Sequence, residues 1–445
     1  MEERLEFARN KLGIEFSLKE KQLETLRNLW ERRDVISVLP TGYGKSVLYQ
    51  LLPWFLQGDR EKTGIVIVIA PLTSIIVDQV SFLSSKGIKA LCLNFEGTGC
   101  RSADEEETVS KLVTKDMQRI IDGDVEILYS HPEAIFSKKI GRILRSKVFQ
   151  EHVCCVTIDE VHMIEEWGEE FRPKFKKLGD LTCLFPSAAH LSLTATATET
   201  SIESLGKVLQ YINPVIIKAN PDRPNIFLEK IVRPPNINKV KKLDTIIEPL
   251  CEELKEKREN FPVTIVYVEN LELGYFYQYV NSELREHEYV GEPNPENRIF
   301  AQFHKDYTEA MKSHVITELK KENPTLRLVF ATVALGMGLD ARCITRIIHC
   351  RPPTTLEKYL QEIGRAGRNG AQCTAILYFN NNDIAKNRKG LSEEVIQYCK
   401  NSETCLRLFI LKYFGFNQSL YCGPPKDCGS NCRSKSLNRI LWKRK

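Results

Sequence analysis

Two α/β domains in tandem, followed by a small helical cysteine-bearing segment, is the architecture this sequence predicts. Three observations carry the prediction. Short aliphatic runs alternate with helix-length segments in two separate stretches; a proline-rich interval divides those stretches; and cysteines crowd together near the C-terminal end. Continuous apolar runs of strand length suit parallel strands buried on both faces, and the pieces between them are long enough for crossover helices.

In the first stretch the candidate strands are 35–39, 65–70, 89–93, 125–129, 153–158 and 190–194. Pro214, Pro221, Pro224, Pro234 and Pro235 then follow in quick succession, which reads as a linker because proline suits neither a helix interior nor a central strand. The pattern restarts at 263–268, 327–331, 346–349 and 374–379. The expected domains are therefore 1–215, 216–388, a cysteine segment at 389–434 and a basic tail at 435–445.

At 445 residues, 42% hydrophobic and 27% charged, the chain has ample apolar surface for real cores and is no disordered polymer. Its aliphatic runs are far shorter than the roughly 20 residues a membrane span needs. Met1-Glu2-Glu3-Arg4 is charged rather than apolar, so no secretory signal is expected and an intracellular location is. A net charge of +5 permits an anionic partner without requiring one. Most of the fourteen cysteines sit in apolar surroundings and read as reduced core residues. Cys399, Cys405, Cys422, Cys428 and Cys432 are different, because they share one short segment.

A phosphate chain needs backbone N–H donors converging at a helix N-terminus. Leu39-Pro-Thr-Gly-Tyr-Gly-Lys-Ser46 offers this between the first strand and an apolar-periodic segment. Thr41, Gly42 and Gly44 are the expected cradle, Lys45 the cation for the β- and γ-phosphates, and Ser46 the hydroxyl for Mg²⁺. Leu39 stands where the general pattern has glycine. Asp159 and Glu160, closing the apolar run 153–158, supply the complement: Asp159 as metal ligand and Glu160 as the base for the attacking water. In the second stretch, Gln361, Arg365 and Arg368 lie where a helix breaks into a glycine loop. Arginines there suit charge stabilisation on a transferring phosphate.

Together these residues resemble the superfamily-2 helicases, and specifically the RecQ family of DNA helicases, in collinear order from about residue 12 to 432. Ala70–Gln79, with Thr73, Ser74 and Gln79, is similar to the family's first strand-contacting motif, and Tyr129–Glu133 to the next. Asp159-Glu-Val-His162 resembles the DEAH box, Leu193–Ala197 the motif linking hydrolysis to DNA, and Ala331–Asp340 and Gln361–Gly370 the fifth and sixth motifs. Trp167–Phe175 looks like the aromatic-rich loop that senses single-stranded DNA. Trp167 and Phe171 offer stacking faces there and Arg172 a cation. Gln22 matches the adenine-reading glutamine, with Lys19 where the family has arginine. Glu165, Glu166, Glu169 and Glu170 make the loop more acidic than is usual, and Ala341-Arg342 replaces a Lys-Pro after Asp340.

Cys405, Cys422, Cys428 and Cys432 offer four thiolates, enough for a tetrahedral structural zinc, and their segment resembles the RecQ zinc-binding subdomain. Cys399 has no family counterpart. The resemblance implies two RecA-like domains, ATP, Mg²⁺ and Zn²⁺ as cofactors, single-stranded and forked duplex DNA as partner, and 3′→5′ movement. Lys445 comes too soon for the winged helix that relatives often carry. The basic end, Arg433–Lys445, suits a nuclear address or a solvated tail. The rival readings are an RNA helicase and a nucleic-acid-binding module that has lost turnover.

Overall fold

The computed structural model describes residues 1–57, 63–71, 73–93, 114–164, 177–236, 243–332, 335 and 341–442. They form two compact units, Met1–Asn220 and Pro221–Lys445.

The first unit is built on a seven-stranded parallel sheet of order β3-β4-β2-β5-β6-β1-β7. Its strands are β1 (Val35–Val38), β2 (Ile65–Ile69), β3 (Ala90–Leu93), β4 (Ile127–Ser130), β5 (Val153–Ile158), β6 (Ala189–Thr194) and β7 (Val215–Lys218). The runs VISV, IVIVI and VCCVTI are buried at every position, as strands covered by helices on both faces must be. β6 lies between β1 and β5, pairing Leu191 with Val35 and with Thr157. The loops leaving β1 and β5 are thus brought close at the carboxyl edge of the sheet, the usual ligand-binding edge of open α/β sheets.

The second unit has a six-stranded sheet, order β10-β11-β9-β12-β13-β8. These strands are β8 (Ile226–Val232), β9 (Thr264–Tyr267), β10 (Phe300–Phe303), β11 (Leu328–Ala331), β12 (Arg346–His349) and β13 (Cys373–Phe379). One face packs on helices Asp244–Lys257 and Asn270–Leu284, through residues such as Ile247, Phe276, Val266 and Phe330. The other face, with Ile265, Val329, Ile347 and Ala375, shares its core with Tyr359, Tyr398, Leu406 and Ile410. The cysteine segment therefore has no separate core of its own. Gly429 bridges to Leu228 of β8, and a Cβ at Gly429 would stand 2.9 Å from the Leu228 carbonyl oxygen, closer than a side chain allows.

One expectation needs correction. The proline-rich interval is not merely a linker, since β7 and β8 lie inside it. Pro214 precedes β7, Pro221 and Pro224 fall between the strands, and Pro234 follows β8, so no proline interrupts either ladder. Both are edge strands, where irregular flanks are tolerated. The helix Ser430–Trp442 runs through most of the basic tail 435–445. No glycine or proline follows Gly429 to stop it.

Candidate nucleotide site and cysteine cluster

At the edge of the first sheet, β6 ties the two key loops together. The Thr194 carbonyl accepts from Leu39 N at 2.9 Å, and the Leu193 carbonyl accepts from Val161 N at 2.9 Å. The phosphate loop then turns through two left-handed glycines, Gly42 at φ 78° and Gly44 at φ 90°, into the helix Lys45–Phe55. Gly44 caps that helix, with Lys45 and Ser46 in its first turn and Thr41 half-buried in the turn that Tyr43 N closes by donating to the Pro40 carbonyl. The helix N-terminus supplies unpaired N–H groups and the positive end of its dipole, which suit an anion.

Gln22, expected at an adenine, is buried and spends both ends of its amide on backbone. Its Nε2 donates to the carbonyls of Tyr43 (3.1 Å) and Gly44 (2.9 Å), and its Oε1 accepts from Lys19 N (2.8 Å). The Lys19 ammonium lies 4.4 Å from the Tyr43 ring centroid. Gln22 and Lys19 thus brace the phosphate loop from behind. Glycine is required at position 44 on two counts, its positive φ and a Cβ that would sit 2.7 Å from Gln22 Nε2.

The acid box faces this loop. Asp159 is 7% exposed. Its Oδ1 accepts from Glu160 N at 2.9 Å, and Tyr49 Oη lies 3.5 Å from Oδ2. Burial first, and the Glu160 charge second, push the Asp159 carboxyl up to about 7, against the pull of Lys45. A buried carboxylate so short of positive charge fits a divalent cation. Glu160 adopts φ 50°, a left-handed conformation that costs a non-glycine residue about 1–3 kcal/mol. That turn aims its carboxylate at Lys45, with Oε1 3.6 Å from Nζ. His162 Nδ1 lies 3.5 Å from the other Glu160 oxygen and 3.1 Å from Thr194 Oγ1. Nothing in the sequence alone singles out Thr194 or gives His162 a role. Both sit inside recognised motifs, yet only the β5–β6 register makes them neighbours.

Of the residues expected to touch a nucleic-acid strand, Gln79 lies in the helix Thr73–Ser85, where its Oε1 accepts from Gln50 Nε2 at 2.5 Å. Thr73 and Ser74 start that helix, and their side chains fall outside the described residues. So do Trp167, Phe171, Arg172 and the four loop glutamates, and so does Asp340.

In the second unit Gln361 lies on the helix Leu356–Ile363, and Arg365 is 5% exposed just beyond it. Arg368 follows, half-buried, before Gly370. The phenol of Tyr267 is pushed up to about 12 by burial, with the Arg365 charge opposing. The helix is held by Glu362, whose carboxylate pairs with His349 Nε2 at 2.7 Å in a buried contact. His349 in turn stacks on Tyr267, centroids 5.0 Å apart.

Three of the four expected zinc thiols are together. The sulfurs of Cys405, Cys428 and Cys432 lie within 4.8 Å of one another, Cys405 and Cys428 at 3.5 Å. The Cys428 thiol bonds to Cys405 and holds it down to about 5, while Cys428 is pushed up in return; the pair parts with one proton readily and the second with difficulty. That readiness to form a thiolate, and the spacing, suit zinc. Cys422 stands outside this cluster. It is exposed, its thiol 3.5 Å from the Leu420 carbonyl oxygen. The reason lies just upstream, where Ser419 and Leu420 are anchored to Asp222 and fix the irregular segment that carries it. Cys399 is buried and stands apart from the cluster, its thiol pushed up to about 12 by burial.

The chain matches three family models in succession: DEAD/DEAH box helicase over residues 19–205, helicase conserved C-terminal domain over 241–370, and RecQ zinc-binding over 372–434. It is 30% identical to ATP-dependent DNA helicase Q-like 2 of Arabidopsis thaliana, over 94% of this chain and 55% of that protein. It is 28% identical to ATP-dependent DNA helicase RecQ of Haemophilus influenzae, over 93% of this chain and 61% of that one. With hus2/rqh1 of Schizosaccharomyces pombe the figures are 28%, 93% and 30%. The chain thus spans less than two thirds of the length of these relatives. Among solved structures it resembles the DUF1998 helicase MrfA bound to DNA and AMPPNP, with TM-score 0.66 at 17% identity, over 94% of this chain and 53% of that one. That likeness concerns the fold. With two helicase models and the RecQ zinc-binding model following in order along most of its length, the chain belongs to the RecQ family of helicases.

Proposed function

We propose that the chain is an ATP-dependent DNA helicase that couples hydrolysis to 3′→5′ movement on single-stranded DNA and to the opening of forked duplexes. The observation that carries this reading is the seat of Glu160, strained toward Lys45 on one side and joined through His162 to Thr194 on the other. Lys45 and the N-terminus of its helix would hold the β- and γ-phosphates of ATP, and Ser46 and Asp159 would hold Mg²⁺. A bound Mg²⁺ supplies charge neutralisation between the phosphates. Glu160 would orient the attacking water and take its proton, and Gln361, Arg365 and Arg368 would stabilise charge on the transferring phosphate. Thr41, Gly42 and Gly44 would line the phosphates, with Asp340 assigned to the nucleotide and Gln22 and Lys19 shaping the loop.

The test is ATP hydrolysis with no nucleic acid, with single-stranded DNA and with RNA. Turnover raised by DNA is expected; turnover raised only by RNA, or none at all, would reject the proposal. The DNA titration also checks the aromatic loop. Trp167→Ala is expected to keep basal hydrolysis and to lose most stimulation by DNA, since stacking contributes about 1–3 kcal/mol per base. Intact stimulation in that variant would make Trp167 a packing residue.

Cys405, Cys428 and Cys432 would hold Zn²⁺, with Cys422 assigned as fourth ligand. Zinc would supply structural stability there and no chemistry. About one zinc per chain is expected, and Cys428→Ser should lower both zinc content and folded yield. Well-folded wild-type protein without zinc would refute the assignment. Among the described residues no helix is long and apolar enough to cross a membrane. A nuclear location is proposed from the basic end, Arg433–Lys445.

A further inference from the structure

Tyr49 and Gln50 are adjacent on the helix that begins at Lys45, and both are buried although both are polar. Each reaches a different segment. Tyr49 Oη lies 3.5 Å from Asp159 Oδ2, and its ring meets Tyr129 edge-on at 6.2 Å. Tyr129 is the last residue but one of β4 and opens the second segment expected at the DNA strand. Gln50 donates to Gln79 Oε1 at 2.5 Å, in the helix that starts with Thr73 and Ser74. A residue pair needed only for packing would be apolar, because each buried polar group costs free energy unless it is partnered.

We propose that Tyr49 and Gln50 are positioning residues that tie the acid box to the two strand-contacting segments of the first unit, so that DNA bound at Thr73–Gln79 alters the seat of Asp159. This rests on the DNA-helicase reading above. The coupling is short and physical. The Lys45–Phe55 helix is a rigid element, and a shift of the Thr73–Ser85 helix pulls on it through Gln50, one residue from the phenol that faces Asp159. Lys45 lies one helical turn before Tyr49, so the same displacement reaches the phosphate loop. Burial drives both phenols well above the ordinary tyrosine range, so each keeps its proton and stays a neutral partner.

The test is Gln50→Leu, which keeps the volume and removes the donor. Basal ATP hydrolysis and affinity for single-stranded DNA should stay within about twofold, while maximal stimulation by DNA falls at least about fivefold, the size of one lost hydrogen bond. Gln50→Glu should retain stimulation, because the Gln79 amide can turn its NH₂ toward the new carboxylate. Tyr49→Phe should weaken Mg²⁺ binding in the presence of a non-hydrolysable ATP analogue, read by calorimetry. Full stimulation in Gln50→Leu overturns the proposal. So does an equal loss of basal and stimulated turnover, or a loss in Gln50→Glu as great as in Gln50→Leu, since either marks simple packing. Should Gln50→Leu not fold, Gln50→Asn, too short to reach Gln79, takes its place with the same expected outcomes. Wild-type protein that hydrolyses ATP without any response to DNA would instead sink the helicase reading.

Discussion

Glu160→Gln is expected to bind ATP and to hydrolyse it about 100- to 10,000-fold more slowly than the wild type, the range that a lost general base gives. The substitution keeps the side-chain length and the Cβ, so the left-handed turn at φ 50° and the bond donated by the residue-160 N–H to Asp159 Oδ1 should persist. What disappears is the negative charge 3.6 Å from Lys45 and the ability to accept a proton. Lys45, freed of its carboxylate partner, should hold nucleotide phosphates at least as well as before. Nucleotide binding and turnover should therefore separate, with affinity preserved and hydrolysis lost. Lys45→Ala should lose both. Turnover near that of the wild type in Glu160→Gln would remove Glu160 from its assigned role.

The inner strands were legible in the sequence because strands buried on both faces are written as unbroken apolar runs. VISV, IVIVI and LVFA need no context to be read. The strands the sequence analysis did not find, β7, β8 and β10, are all sheet edges. Their residues need be apolar on one side only, and β8 accordingly mixes Glu229 and Lys230 into its run. The site divides the same way. Lys45, Asp159 and Glu160 announce themselves because their chemistry is local to a loop. The His162–Thr194 contact, the Gln22 brace and the Gln50–Gln79 bond each join segments far apart in sequence, and no periodicity or spacing encodes them. Cys422 shows the opposite limit. Composition groups it with three ligand-like thiols, whereas the anchoring of Leu420 to Asp222 sets where it lies.

That same Asp222 carries the second large effect. Asp222→Ala is expected to destabilise the second unit by about 3–5 kcal/mol, the cost of stranding a buried charge. Asp222 is 8% exposed, and its carboxylate engages three groups: Arg407 Nη1, Ser419 Oγ and Leu420 N, each at 2.6 Å. Arg407 is 3% exposed and sits in the first turn of the helix Leu406–Tyr413, two residues after Cys405. It also donates to the carbonyls of Arg223 and Ile226, so the guanidinium cannot swing out to water without breaking the join to β8. Removing Asp222 leaves that cation with neutral carbonyls and the Tyr421 ring, 5.3 Å away, but no counter-charge. Arg407→Leu should be milder than Asp222→Ala, because it removes the buried charge and leaves an aspartate that Ser419 and Leu420 still satisfy. Denaturant unfolding of the two variants discriminates. A loss in Asp222→Ala below about 1 kcal/mol would mean that the pair is solvated and exerts the weak hold of a surface ion pair. The predicted order, with Asp222→Ala the worse, would fix Asp222 as the residue that fastens the cysteine segment to the second sheet.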